Sequence, residues 1–263
     1  MLRELNVVVE PGCSVAVMGR SGTGKSTLLS VIGGLIRPDS GSVWVDGEPV
    51  HQLNRTDAAR YRAQKVGIVF QSGELLPDIS AEENVALAGV LGGKTYAQAS
   101  AESARLLESV EIGKDLHGQL TRELSGGEQA RVAVARALIG QPAVLLADEP
   151  TGSLDAELRQ EVQTLLYGLP RSTGCCLVLV THDPLVAQGA DKTMTLSNGK
   201  LAEQPAQEPL AAPAPAASAT PATITAQTRD PTRASQPVLS TPGRPFHPGT
   251  SSLSTNPPPP PVR

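Results

Sequence analysis

Residues Gly19-Arg20-Ser21-Gly22-Thr23-Gly24-Lys25-Ser26, followed by Thr27, fit the pattern G-x-x-x-x-G-K-[ST]. The chemistry such a run supports is phosphate binding. Glycines let the backbone curl until its N–H groups face inward on an anion. The start of the following helix adds partial positive charge. Lys25 is placed to reach the outer phosphates, and the Ser26 hydroxyl to ligate Mg²⁺.

Two further groups carry chemistry. Ala143-Val-Leu-Leu-Ala147 runs into Asp148-Glu149-Pro150, so a buried strand delivers two carboxylates to one edge of a sheet. In open α/β folds that edge is where ligands bind. Asp148 is placed to hold Mg²⁺ through water, and Glu149 to polarise an attacking water as general base. Leu124-Ser125-Gly126-Gly127-Glu128-Gln129 precedes a helix-forming run, Arg131–Leu138. A small-residue turn at a helix start is a second anion site, distinct from the one at Gly19–Ser26.

The elements that must position these groups read as α/β. Ser14–Met18 is a short apolar strand that feeds the Gly-rich loop, and Lys25 to about Ile32 is helical. Ser42–Val45 alternates and ends in a turn at Asp46-Gly47. Val66–Phe70, Ala143–Ala147 and Cys175–Val180 are continuous apolar strands, the kind covered on both faces in a parallel sheet. Residues 80–120 are rich in Ala and Glu at helical spacing. No internal repeat is present.

Composition changes near residue 204. Of the 23 prolines, 15 lie beyond that point. The segment 204–263 has no hydrophobic period, so it buries too little apolar surface to offset its ordering entropy. It is expected to be disordered, with polyproline II character at its end. The formal net charge of -4 gives no reason to expect nucleic-acid binding. No apolar run approaches the ~20 residues needed to span a bilayer, and the N-terminal residues lack a secretory h-region. Cys13, Cys175 and Cys176 have no metal spacing and read as reduced core thiols of a cytoplasmic protein. His51, His117 and His247 are expected at the surface.

The Ser125-Gly126-Gly127-Glu128-Gln129 turn and its helix resemble the signature of ABC ATPases. Other elements of that family follow in order. Gln71, after Val66–Phe70, matches the glutamine that contacts Mg²⁺ and the attacking water. Ser153-Leu154-Asp155 matches the D-loop, and His182 in Val178-Leu179-Val180-Thr181-His182-Asp183-Pro184 matches the histidine that contacts the γ-phosphate. The resemblance covers residues 2–203. It implies a P-loop NTPase (RecA-like) core with a parallel sheet, a small antiparallel β subdomain and an inserted α-helical subdomain at about 72–135. It also implies ATP and Mg²⁺ as ligands. Ser125 and Gly126 would grip the γ-phosphate bound to a second copy, or to a homologous ATPase subunit, in a head-to-tail dimer. The partner implied is an integral-membrane permease, which would hold this subunit at the inner face of the cell membrane.

The runs around Gln71–Leu87 and Leu146–Glu157 resemble the lipoprotein-release and macrolide-export group. The expected function is therefore the ATP-hydrolysing subunit of an exporter or lipoprotein-extraction system. The alternatives are an importer ATPase and a soluble non-transport ABC ATPase. Ala130 stands where a glutamine is common. Family members also carry a strand and an adenine-stacking aromatic before the segment equivalent to Leu2. The first strand of the antiparallel subdomain is thus apparently missing here. Either the reading frame starts upstream, which is the expected case, or adenine is held differently.

Overall fold

The computed structural model describes residues 2–71, 74–203 and 224–227. In chain order the elements are β1 (Asn6–Val9), β2 (Ser14–Met18), α1 (Lys25–Ile32), β3 (Ser42–Val45), β4 (Glu48–Pro49), α2 (Arg55–Lys65) and β5 (Val66–Val69). Then come α3 (Ala81–Leu91), α4 (Tyr96–Ser109), α5 (Gly126–Leu138), β6 (Val144–Asp148), α6 (Ala156–Thr173), β7 (Cys176–Thr181), α7 (Pro184–Ala187), β8 (Lys192–Ser197), β9 (Lys200–Glu203) and β10 (Ile224–Gln227).

Apolar strands that alternate with helices assemble into a six-stranded sheet of order β5-β6-β7-β2-β8-β9. All neighbours are parallel except the final hairpin pair, β8 and β9. Both faces are covered, which is why the central strands carry no alternation of polar and apolar residues. Leu145, Ala147, Leu177 and Leu179 point into a core shared with α3, α4, α5 and α6. Val144, Leu146, Cys176, Val178 and Val180 point to the other side, against α1 and the small antiparallel sheet. Each fully buried Leu or Val of this kind contributes roughly 1.5–3 kcal/mol relative to exposure. The close approach of α5 to β5 depends on Gly67, where an added Cβ would lie 2.4 Å from the Ala137 carbonyl oxygen.

The helical region begins and ends on designed caps. Ser80, Thr95 and Ser125 each accept from the backbone N–H three residues on, and Glu83, Gln98 and Glu128 reach back in reciprocal capping boxes. Such caps are typically worth ~1 kcal/mol. Buried Asn84 pins the preceding loop: it accepts from Leu76 N–H at 2.8 Å and donates to the carbonyl oxygens of Leu76 and Ser80, both at 3.0 Å. Thr121 Oγ1 donates to the same Leu76 oxygen at 2.7 Å.

Two sequence expectations need correction. The segment beyond 204 is not wholly without regular structure: Ile224–Gln227 forms β10, in an antiparallel sheet of order β1-β10-β3-β4. β1 thus pairs with a strand from the C-terminal side of the chain. The reason is that β1 and β3 both offer backbone donors and acceptors there, and a short run containing β-branched residues satisfies them. The rest of the tail, including His247, lies outside the described residues. His117 is buried, not superficial, with Nε2 3.3 Å from the Ile112 carbonyl oxygen. Its neighbours in the α4–α5 connection fold over it, which no local pattern announces. His51 is half-buried, its Nδ1 3.0 Å from the Val43 oxygen and its ring edge-on to Trp44. The three cysteines remain thiols, and burial pushes Cys176 up to about 12, which makes it inert at neutral pH.

Replacing Gly67 with Ala should force α5 away from β5. Overpacking of this kind costs about 1–3 kcal/mol, to be read as a lower urea midpoint at unchanged slope. An unchanged midpoint would mean that α5 can retreat from β5 without loss.

Candidate nucleotide-phosphate site

Strand register decides what meets at the carboxyl edge of the large sheet. Met18 lies beside Thr181, and Asp148 beside Val180. Three chain segments therefore leave the sheet next to one another: the loop Gly19–Gly24, the turn Glu149-Pro150, and the turn at His182.

The loop is shaped by its glycines and by internal hydrogen bonds. Gly22 and Gly24 hold φ of 79° and 104°, a region that other residues rarely adopt. At Gly19 an added Cβ would lie 2.7 Å from Thr23 Oγ1 and 2.8 Å from the Leu196 oxygen. Thr23 Oγ1 donates to the Arg20 oxygen at 2.9 Å. The loop then enters α1, and Lys25 turns back over it: Nζ donates to the Gly19 oxygen at 2.7 Å. Ser21 and Ser26 are exposed, and Thr27 is half-buried.

Glu149 forms the meeting point. Its Oε1 is 2.9 Å from His182 Nδ1 and 3.6 Å from Lys25 Nζ. Its Oε2 accepts from Thr181 Oγ1 at 3.1 Å. A carboxylate only accepts, so the imidazole is the donor in this contact, through Nδ1. The Glu149 side chain is 14% exposed, whereas that of His182 is 68% exposed. The Glu149 backbone sits at φ 47°, in the left-handed region, and its N–H donates to the Val180 oxygen at 3.0 Å. A non-glycine residue in that region costs of order 1–3 kcal/mol, and such strain clusters at functional sites.

Around this centre the D-loop segment ties to the glutamine. Ser153 Oγ donates to the Gln71 oxygen at 3.3 Å. A Cβ on Gly152 would lie 3.0 Å from Gln71 Nε2. Asp148 ends β6 one residue before Glu149. The structure thus groups Lys25, Asp148, Glu149, His182 and Gln71 at one sheet edge, with Ser26 and Thr27 opening α1. Sequence reasoning missed Thr181 as a member. Its signal is a hydroxyl at the end of an otherwise apolar buried strand, and the side chain proves buried.

The second anion turn does not join this group within one chain. Ser125 caps α5: its Oγ donates to Glu128 Oε2 at 2.8 Å and accepts from Glu128 N–H at 3.3 Å. Ser125 and Gly126 are exposed, and Gly127 packs so closely that an added Cβ would lie 2.8 Å from Leu158 Cδ2. Asp155 caps α6, accepting from the N–H groups of Glu157 and Leu158 at 3.1 and 3.0 Å. A cavity of about 1000 Å³ lies elsewhere, lined by α4, α5 and α6 with Arg131 among its residues. It holds none of the phosphate-loop residues.

Comparison with known proteins shows the family. Residues 2–152 match the family model described as ABC transporter. The chain is 44% identical over 204 residues to an uncharacterised ABC transporter ATP-binding protein, YbbA, of Escherichia coli K12, covering 78% of this chain and 89% of that one. It is also 44% identical over 203 residues to the lipoprotein-releasing system ATP-binding protein LolD of Shewanella denitrificans, covering 77% and 87%. Among solved structures, it superposes with a TM-score of 0.71 and 33% identity on the ATP-binding cassette MJ0796. That structure is a dimeric post-hydrolysis state bound to ADP and Pi, with 79% of this chain and 91% of that one covered. With a phosphate loop, a strand-end glutamate and an exposed signature turn in these positions, the chain belongs to the ABC transporter family, as one of its ATP-binding and ATP-hydrolysing subunits.

Proposed function

We propose that this subunit hydrolyses ATP at two shared sites in a head-to-tail dimer and so drives a membrane permease of the exporter or lipoprotein-release type. The observation that carries the reading is the Glu149 carboxylate, held by Thr181 and His182 beside Lys25 at the mouth of the phosphate loop. Glu149 takes the proton from the attacking water. Thr181 and His182 orient its carboxylate, and Lys25 exchanges its loop carbonyls for the outer phosphates. The backbone N–H groups of Gly19–Thr27 hold the phosphate oxygens. His182 meets the γ-phosphate, and Gln71 positions the water.

Mg²⁺ fits the donors present. Ser26, Gln71 and Asp148 offer oxygen atoms, as a hard cation requires. Among the described residues no cluster of three or more His, Cys, Asp or Glu could cage a metal. Ser26 and Gln71 would bind Mg²⁺ directly and Asp148 through water, with phosphates and water completing the shell. When bound, it would neutralise charge developing on the transferred phosphoryl group.

The dimer is supported by the exposure of Ser125 and Gly126 at a helix start, and by the dimeric state of the MJ0796 cassette. Asp155 lies beside the same interface. A permease contact is supported by apolar side chains left open on the helical region. Leu76, Leu87, Leu91 and Tyr96 are all exposed, Leu91 by 74%. No helix among the described residues is long and apolar enough to cross a membrane. The membrane step would therefore fall to the permease, with this subunit at its cytoplasmic face. The lipoprotein-release assignment rests on the likeness to LolD.

Three outcomes test this reading. Glu149→Gln should bind ATP yet hydrolyse it about 10²–10⁴-fold more slowly, and should accumulate an ATP-bound dimer on size-exclusion chromatography. Near-normal turnover would remove Glu149 from its role. Lys25→Ala should abolish nucleotide binding by the monomer, while Ser125→Arg should preserve it and block dimerisation. Equal loss of monomer binding in both would overturn the shared-site arrangement. Leu76→Asp combined with Leu91→Asp should uncouple the subunit from its permease with basal ATPase retained. Full transport in that variant would place the contact elsewhere.

A further inference from the structure

Strand β10 occupies the interior of a sheet, not its edge. In the order β1-β10-β3-β4, β1 and β3 do not pair with each other, and β10 lies antiparallel to both. Its register is Asn6↔Gln227, Val7↔Ala226, Val8↔Thr225 and Val9↔Ile224 on one side. On the other it is Thr225↔Trp44, Ala226↔Val43 and Gln227↔Ser42. Val7, Val9 and Val43 are buried, whereas Asn6, Val8 and Trp44 are exposed. The apolar residues Ile224 and Ala226 therefore fall at register positions flanked by buried partners. Thr225 falls between exposed Val8 and Trp44, and Gln227 between exposed Asn6 and half-buried Ser42. A slip of one residue would reverse every one of these matches.

The tail sequence fits the same slot for an independent reason. An interior strand must donate N–H groups to both neighbours, so proline is excluded from it. The longest proline-free stretch of the segment 204–263 is 222–230, and β10 lies inside it. That stretch also brings together Thr223, Ile224 and Thr225, three consecutive β-branched residues, the type that favours strands. Residues 204–223 link β9 to β10, and twenty residues can reach up to about 66 Å when extended.

The sheet that β10 completes is the wall behind the phosphate-loop helix. Val7, Val9, Val43 and Val45 share one buried cluster with Leu28, Leu29 and Ile32 of α1, the helix that starts at Lys25. Without β10, β1 has no strand partner among the described residues, and the wall on which α1 rests is open between β1 and β3.

We propose that Ile224–Gln227 is a tethered closing strand, donated by the chain's own tail to the slot between β1 and β3, and that its seating steadies the phosphate-loop helix α1. The tail thus acts as a strap on the nucleotide-binding half of the molecule. Departure of the strap loosens β1, β3 and then α1.

Hydrogen exchange on the full chain tests this without any activity measurement. Ala226→Pro removes an N–H from the interior of the sheet, and Ala217→Pro, in the linking segment, serves as control. In Ala226→Pro the amides of Val7–Val9 and Val43–Val45 should exchange at least about tenfold faster, as expected for a local opening. Those of α1 should follow, with the control like the parent. Unchanged exchange in β1 and β3 overturns the closing strand. Faster exchange there with α1 unaffected overturns its coupling to the phosphate loop. Val8→Cys with Thr225→Cys gives a second reading that does not depend on weakening the fold. Mild oxidation should join these two positions within one chain, identified by peptide mass mapping. A link found solely between chains, or none, overturns donation from the chain's own tail.

Discussion

Parallel pairing of β7 with both β6 and β2 is the constraint on which the site depends. That pairing sets Met18 beside Thr181 and Asp148 beside Val180. The phosphate loop, the glutamate and the histidine therefore leave the sheet within about a residue of one another. None of the three lies near the others in sequence. Their proximity is enforced by a ladder buried on both faces, where a register slip would leave backbone groups unsatisfied away from water. The precision of this edge is thus inherited from the core.

At that edge the protein holds one residue under strain. Glu149 takes a left-handed backbone conformation that glycine adopts far more readily, and the proposed general-base role would explain why a carboxylate stands there. Its backbone bond to Val180 and its side-chain contacts with Thr181, His182 and Lys25 offset the strain. Hydrogen bonds to a charged group contribute about 1.5–3 kcal/mol each, enough to hold a conformation that costs a similar amount. The outcome is a carboxylate of fixed aim beside the Lys25 ammonium.

The signature turn follows a different logic. Ser125 spends its hydroxyl on the capping box with Glu128, and Gly127 is pressed against Leu158 of α6. The turn is therefore held by its own cap, with Ser125 and Gly126 exposed. In the proposed dimer, a turn already fixed in this way would meet the partner's phosphate at a lower ordering cost.

Much of this was legible in the sequence because it is local. The phosphate loop, the helix Lys25–Ile32, the strand Ser14–Met18 and the turn at Asp46-Gly47 are fixed by glycine placement and short-range apolar pattern, and the structure agrees with each. The strand-end pair Asp148-Glu149 was readable for the same reason. What needed the tertiary structure is non-local. Burial of His117 depends on loop packing, and the role of Thr181 on a neighbour 32 residues away in the chain. β10 departs furthest from expectation. Composition alone makes the tail look unable to fold, since it lacks the apolar surface to order itself. A segment that lacks its own core can still be ordered by a core built elsewhere, and the backbone groups of β1 and β3 supply the partners that its own sequence cannot reveal.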